Sequence, residues 1–163
     1  MPAGDSSVLW RTGMSRINAE TGRFMKKADM LRVLLVDDNE EFRSFLKATV
    51  YQGLSGAVVA EAEDGAEGQR LSSTFKPHLA FIDINLPGDM NGLMLTEQLR
   101  AVGNPVTIVI ITSHDLPEYR AAAIRLGADH FLTKSAFSPV EVQGFLDRIA
   151  ATANETPRPH QSR

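Results

Sequence analysis

The sequence predicts a doubly wound α/β fold, a five-stranded parallel sheet with helices on both faces. Three observations carry that prediction. Short apolar runs alternate five times with segments of helical period, at the spacing of βα units. The run Val106–Thr112 (VTIVIIT) is apolar and β-branched almost throughout, which suits a parallel strand buried on both faces. Several of these runs also end abruptly in polar residues, at the strand ends where such sheets place their ligand site.

Taken in order, the first strand is Leu31–Asp37, inside the stretch LRVLLVDDNEE. The first helix, about Asn39–Gln52, sets Phe42, Phe45, Leu46 and Thr49/Val50 on one face. Gly53 and Gly56 bracket a turn into the second strand, about Ala57–Ala62. Asp64 and Glu67 have the spacing of a capping box for the second helix, which ends near Phe75 ahead of Pro77. The third strand is Leu79–Asp83 (LAFID), and the turn-rich segment Asn85–Gly92 leads into a third helix, about Leu93–Val102, with Leu95, Leu99 and Val102 on one face. The fourth helix runs from about Pro117 to Leu126 and stops at Gly127; the fifth strand is Asp129–Thr133. The fifth helix opens on Ser138-Pro139-Val140-Glu141, with serine as cap, proline at the first helical position and glutamate three after the cap. Val142, Phe145, Leu146 and Ile149 are its inward face.

Composition bounds the function classes. The 163 residues fit one domain, and 43% hydrophobic with 23% charged residues is ordinary for a globular chain. The absence of cysteine excludes disulfides, thiolate metal sites and cysteine nucleophiles. Apolar runs of about five or six residues fall far short of the ~20 of a membrane helix, and no signal-peptide core is present, so the expected location is cytoplasmic without membrane insertion. Residues 1–30 hold five Lys/Arg against three Asp/Glu, whereas residues 31–152 hold ten against sixteen. An acidic body of this kind is a poor nucleic-acid binder. The expected organisation is a flexible extension over 1–30, a folded domain over 31–152 and a disordered tail over 153–163, too short for an output domain. The extension has weak helical pattern around Ser15–Glu20 and Arg23–Ala28, and Met30 is itself a candidate start; Trp10 and Phe24 make a partner-binding arm the alternative reading.

The strand ends carry the chemistry. Asp37 and Asp38 are adjacent carboxylates that repel each other unless a cation lies between them. Asp83 ends the third strand, Thr112-Ser113 the fourth, and Lys134 follows the fifth. Oxygen-only ligands suit Mg²⁺, which keeps waters for substrate phosphates. A carboxylate is also a nucleophile toward phosphorus, forming an aspartyl phosphate. That transfer needs positioning and charge neutralisation, which a metal, an ammonium and a hydroxyl supply.

From Leu31 to Ala150 the chain resembles a response-regulator receiver domain of two-component signalling, on five positions in order on four segments: Asp37-Asp38, Asp83, Thr112 and Lys134. The resemblance implies a flavodoxin-like (βα)5 fold with strand order 2-1-3-4-5. It implies that Asp83 is the phosphoacceptor, that Asp37 and Asp38 hold Mg²⁺ with Asp38 the direct ligand, and that Asn85 lends the metal its backbone carbonyl. Thr112 is similar to the family's switch hydroxyl, Ser113 to the small residue after it, Lys134 to the lysine that pairs with a phosphoryl oxygen and Phe131 to the switch aromatic. His114 falls where the family varies side chains that tune phosphoryl lifetime; His78, His130 and His160 have no ligand spacing and are expected in loops or at the surface. Singly, Asp37 reads as a helix cap, Thr112 as a strand residue, Lys134 as a solvated loop lysine and Phe131 as core.

The chain departs from the family pattern at Ser135, where a proline is usual, in the length of the loop Pro87–Gly92, and in having phenylalanine rather than tyrosine at 131. The implied function is a stand-alone, phosphorylation-dependent switch and not an enzyme in the ordinary sense. A histidine kinase or histidine phosphotransfer protein would be the donor, and a downstream effector protein the partner of the face formed by the fourth helix, fifth strand and fifth helix. A phosphorylation-dependent dimer is a further expectation. The alternatives are an aspartate-nucleophile phosphatase, which would want its second aspartate two residues after the first strand's, and a pseudo-receiver that keeps the fold but ignores phosphate. Dinucleotide binding fails because no GxGxxG follows the first strand.

Overall fold

The computed structural model describes residues 30–54 and 56–154. The predicted extension with its helical segments, Trp10 and Phe24, most of the predicted tail, and His160 lie outside the described residues. Five strands and five helices alternate: β1 (Arg32–Val36), α1 (Glu40–Gly53), β2 (Val58–Ala62), α2 (Gly65–Thr74), β3 (Leu79–Asp83), α3 (Gly92–Ala101), β4 (Thr107–Thr112), α4 (Pro117–Arg125), β5 (His130–Thr133) and α5 (Pro139–Asn154). The strands pair in parallel in the order β2-β1-β3-β4-β5. This is the flavodoxin-like arrangement that the resemblance implied. The last helix continues through Asn154, two residues into the segment expected to be tail.

Successive strand residues point to opposite faces, and the sheet therefore has two cores. On one side Leu34, Val36, Ile82, Ile108 and Ile110 pack with Leu95 and Leu99 of α3 and Ala123 of α4. On the other Val33, Leu35, Phe81, Val109 and Ile111 pack with Leu46 and Val50 of α1 and with Val142 and Leu146 of α5. All five residues of β3 are buried, as expected of a central strand covered on both faces.

Local chemistry starts the helices where the sequence indicates. The side chains of Asn39, Asp64 and Asn91 accept hydrogen bonds from the backbone N–H groups of Phe42, Glu67 and Met94. Ser138 and Glu141 make the reciprocal box at α5: the Glu141 N–H donates to Ser138 Oγ at 3.4 Å, and the Ser138 N–H donates to Glu141 Oε2 at 3.3 Å.

Two expected core positions are corrected. Phe45 is 47% exposed and Val102 77% exposed. The buried stripe of α1 is Arg43, Leu46, Thr49 and Val50, so Phe45 lies at its margin and meets Phe42 and Phe137 instead. Val102 is the residue after α3 has ended, where the helical period no longer sets its direction. His130 also departs from its expected loop or surface place: it lies in β5, half-buried, with its ring 4.7 Å from that of Phe145. Among the described residues, no helix is long and apolar enough to cross a membrane.

The parallel register brings the carboxyl ends of the strands to one edge, with Val36 beside Ile82, Asp83 beside Ile111 and Thr112 beside Thr133. At that edge the first residue of α3, Gly92, lies directly over β3; a Cβ there would land on the Asp83 carbonyl. Backbone cannot yield as a flexible side chain would. Gly92→Ala is therefore expected to destabilise the domain by about 1–3 kcal/mol, read as a lower urea midpoint with an unchanged slope.

Candidate functional site

The carboxyl-terminal edge of the sheet concentrates charge. Asp37, just past β1, and Asp83, at the end of β3, are 4% and 5% exposed. Lys134, just past β5, reaches between them: its Nζ is 2.6 Å from Asp37 Oδ2 and donates to Asp83 Oδ2 at 2.9 Å. Asp38 is exposed, yet Asp37, Asp38 and Asp83 offer carboxylate oxygens that all lie within 4.8 Å of one another. Among the described residues, this is the cluster with the spacing to hold a metal ion. An all-oxygen set with one side open to solvent fits a hard cation such as Mg²⁺.

Backbone groups fix these carboxylates. The Asn39 N–H donates to Asp37 Oδ1 at 2.9 Å, and the Asn85 N–H donates to Asp83 Oδ1 at 3.2 Å. The Lys134 N–H donates to the Thr112 carbonyl at 2.8 Å, which ties the lysine to the end of β4.

One contributor was not foreseen. Arg43 of α1 is buried, and its Nη1 donates to the Asp37 carbonyl at 2.6 Å while its other nitrogens face Glu61 and Glu63. A charged residue at a helix position usually signals a solvated face. Only the acidic residues Glu61 and Glu63 across the sheet edge hint that this one turns inward.

The electrostatics follow from counting charges. Burial pushes the Asp83 carboxyl above its ordinary value of 3.8; the Lys134 hydrogen bond opposes the shift, and the Asp37 charge adds to it. Burial alone would lower the Lys134 ammonium, but its hydrogen bonds to Asp37 and Asp83 outweigh that and hold it above 10.5. Burial is thus the main cause of the Asp83 shift and the two carboxylates the cause of the Lys134 shift; with two carboxylates to one ammonium, the pocket is short of positive charge.

The sequence matches the family model described as response regulator receiver domain over residues 33–144. The chain belongs to the response-regulator receiver family. Among curated proteins, it is 33% identical over 128 residues to the transcriptional regulatory protein PrrA of Mycobacterium tuberculosis, covering 77% of this chain and 54% of that protein. It is 30% identical over 126 residues to the response regulator MprA of Mycobacterium sp. (strain KMS), covering 77% and 52%. The chain thus spans about half the length of the curated relatives it matches. Among solved structures, a two-component response regulator of the LuxR family from Aurantimonas sp. SI85-9A1 superposes with a TM-score of 0.67 at 31% identity, covering 76% of this chain and 86% of that one. The receiver domain of the Francisella response regulator 1452 does so with a TM-score of 0.67 at 25% identity, covering 75% and 98%. Receivers are signalling domains, and phosphoaspartate and Mg²⁺ are typical of them.

Other residues singled out in the sequence lie on neighbouring segments. Thr112 is fully buried, and its Oγ1 accepts from the His114 N–H at 3.3 Å. His114 is exposed and its Nδ1 lies 3.2 Å from Asn85 Nδ2, so both side chains stand over the open side of the pocket. Ser113 and Ser135 are exposed, the Ser135 hydroxyl lying 3.4 Å from Thr133 Oγ1. Phe131 is buried, with the Arg120 guanidinium of α4 4.6 Å from its ring centroid. His78 is at the opposite end of the sheet, where its Nδ1 accepts from the Arg32 N–H at 3.0 Å.

The raised Asp83 value sets a direction for stability. The folded chain holds this proton more tightly than the unfolded chain does, so stability falls as pH rises from 3.8 through the folded value. Above that folded value the cost is fully present. Asp83→Asn is therefore expected to raise the thermal midpoint at pH 7 in the absence of divalent metal, with the gain vanishing below pH 3.8. Thermal melts of both chains across that pH range check it.

Proposed function

We propose that this receiver is a phosphorylation-dependent signalling switch with Asp83 as its phosphoacceptor. The observation that carries the reading is the Lys134 ammonium held between Asp37 and Asp83, at 2.6 and 2.9 Å. It gives the pocket a cation beside the buried carboxylate that ends β3.

An Asp83 carboxylate oxygen attacks the phosphorus of a phosphohistidine on a histidine kinase or histidine phosphotransfer protein. A P–O bond forms, the P–N bond breaks, and the departing imidazole keeps the electron pair and takes a proton from solvent. Asp37, Asp38, Asp83 and the Asn85 backbone carbonyl would hold Mg²⁺, which when bound would supply charge neutralisation to the phosphoryl oxygens. Lys134 exchanges its carboxylate partners for a phosphoryl oxygen, for which the lysine is already in place. The Thr112 hydroxyl accepts one hydrogen bond here and keeps its own proton to donate to another phosphoryl oxygen. The same groups serve dephosphorylation, in which water attacks the phosphorus, the P–O bond to Asp83 breaks with the carboxylate leaving, and inorganic phosphate is freed. The domain therefore assists its own phosphorylation and dephosphorylation without turning over an outside substrate.

The output is read on the face formed by α4, β5 and α5. Ala123 is the buried residue of α4, so this helix is held by little apolar contact and shifts at low cost. Drawing Thr112 toward the phosphoryl group displaces the loop before α4, and Phe131 of β5 repacks with it. The added charge biases an existing equilibrium rather than creating a new fold. A downstream effector protein, or a second receiver in a phosphorylation-dependent dimer, is the partner of that face. Nucleic acid is a poor partner for a unit this acidic. The setting is the cytoplasm, where histidine kinases present their phosphohistidine.

Incubation with acetyl phosphate and Mg²⁺ is expected to add one phosphoryl group per chain, seen as a single mass increment in intact mass spectrometry. Asp83→Ala and removal of Mg²⁺ with EDTA should each abolish it. Undiminished labelling of Asp83→Ala would sink the assignment.

A further inference from the structure

Lys134 has a third contact that the phosphorylation chemistry leaves unexplained. The Phe42 ring lies beneath the ammonium, with Nζ 4.5 Å from the ring centroid. An ammonium has three N–H bonds; two point to Asp37 and Asp83. The remaining side would face water or bare hydrocarbon if the ring were absent. An aromatic face attracts a cation through its quadrupole without acting as a full hydrogen-bond acceptor. It therefore offsets part of the cost of burying the ammonium while leaving the lysine free to change oxygen partners.

The ring is itself held in place. Phe42 sits in the first turn of α1, where its N–H donates to the Asn39 cap at 2.9 Å. Phe137, from the loop that follows Lys134, meets the Phe42 ring edge-on at 5.7 Å between centroids, and Phe45 meets Phe137 at 5.6 Å. The three rings join α1 to the loop bearing Lys134. Serine at 135 leaves the backbone after that lysine without the fixed φ of a proline, so the loop is held by backbone hydrogen bonds from the Lys134 and Ala136 N–H groups together with side-chain packing.

We propose that Phe42 is a positioning residue for phosphoryl transfer, holding the Lys134 ammonium in the phosphoacceptor pocket through its π face, with Phe137 and Phe45 bracing it. The proposal rests on the assignment of Asp83 as phosphoacceptor. A residue that merely fills space depends on its size and shape; this one depends on the electron density of its ring. That difference is measurable.

The test replaces Phe42 in the full chain with mono-, di- and trifluorophenylalanine, which weaken the ring quadrupole stepwise at nearly constant shape, and includes Phe42→Leu and Phe42→Tyr. The rate of Asp83 phosphorylation is measured at saturating Mg²⁺ and acetyl phosphate. The ε-methylene proton shifts of Lys134 are measured by NMR in the metal-free chain. The rate is expected to fall stepwise with fluorination, to drop roughly three- to tenfold in Phe42→Leu and to be largely retained in Phe42→Tyr. The Lys134 ε-methylene signals should lie upfield in the parent, under the ring current, and move downfield in Phe42→Leu. A flat rate across the fluorinated series, with the parent labelled normally, overturns the proposal and makes Phe42 a packing residue. Lys134 signals without a ring-current shift overturn it too, whether or not the chain is phosphorylated. Failure of the parent to label at Asp83 is a different result and falls on the phosphoacceptor assignment.

Discussion

The site depends on a shortage of positive charge. Two buried carboxylates, Asp37 and Asp83, face a single ammonium on Lys134, with a third carboxylate, Asp38, at the exposed rim. One cation cannot neutralise that set, and burial sharpens the deficit because the interior screens charge less than water does. Burial, with the Asp37 charge adding to it, pushes the Asp83 carboxyl up, and the hydrogen bonds to both carboxylates hold the Lys134 ammonium up against its own burial. A pocket in this condition suits a divalent cation.

The fold exists around that edge in a specific sense. Parallel pairing brings the ends of β1, β3, β4 and β5 to the same side, and each delivers at least one polar group within or just past its last residue. The two cores behind them are apolar and tightly built, so the strand ends have little freedom to relax away from one another. Arg43 adds a brace from α1, and Gly92 lets α3 begin directly over the Asp83 carbonyl. The rigidity of this edge contrasts with α4, whose buried residue is Ala123. A stiff charged edge beside a loosely held helix suits the switch proposed above.

Much of this was legible in the sequence because it is carried by patterns of short range. An apolar run that stops at Asp37 or Asp83 declares a strand and its chemistry in the same few residues, and Ser138 with Glu141 declares a helix start. What was not legible depends on long-range placement. Helical periodicity put Phe45 and Val102 in the core, but the sheet covers only part of α1, and α3 ends before Val102. Arg43 reads as a surface residue until the acidic residues of another strand edge are brought beside it. The contact of Phe42 with Lys134 joins positions far apart in the chain, and nothing in either neighbourhood announces it. The roles of Thr112 and Phe131 likewise come from the receiver resemblance, since each alone is an unremarkable strand residue.

The most direct measurement of the central claim is calorimetric titration of the unphosphorylated chain with Mg²⁺, alone and with Lys134→Ala. If the carboxylates are short of positive charge, the parent binds one Mg²⁺ per chain, and removing the competing ammonium tightens that binding. A parent chain that takes up no Mg²⁺, or a Lys134→Ala chain whose affinity is unchanged or weaker, would contradict the account.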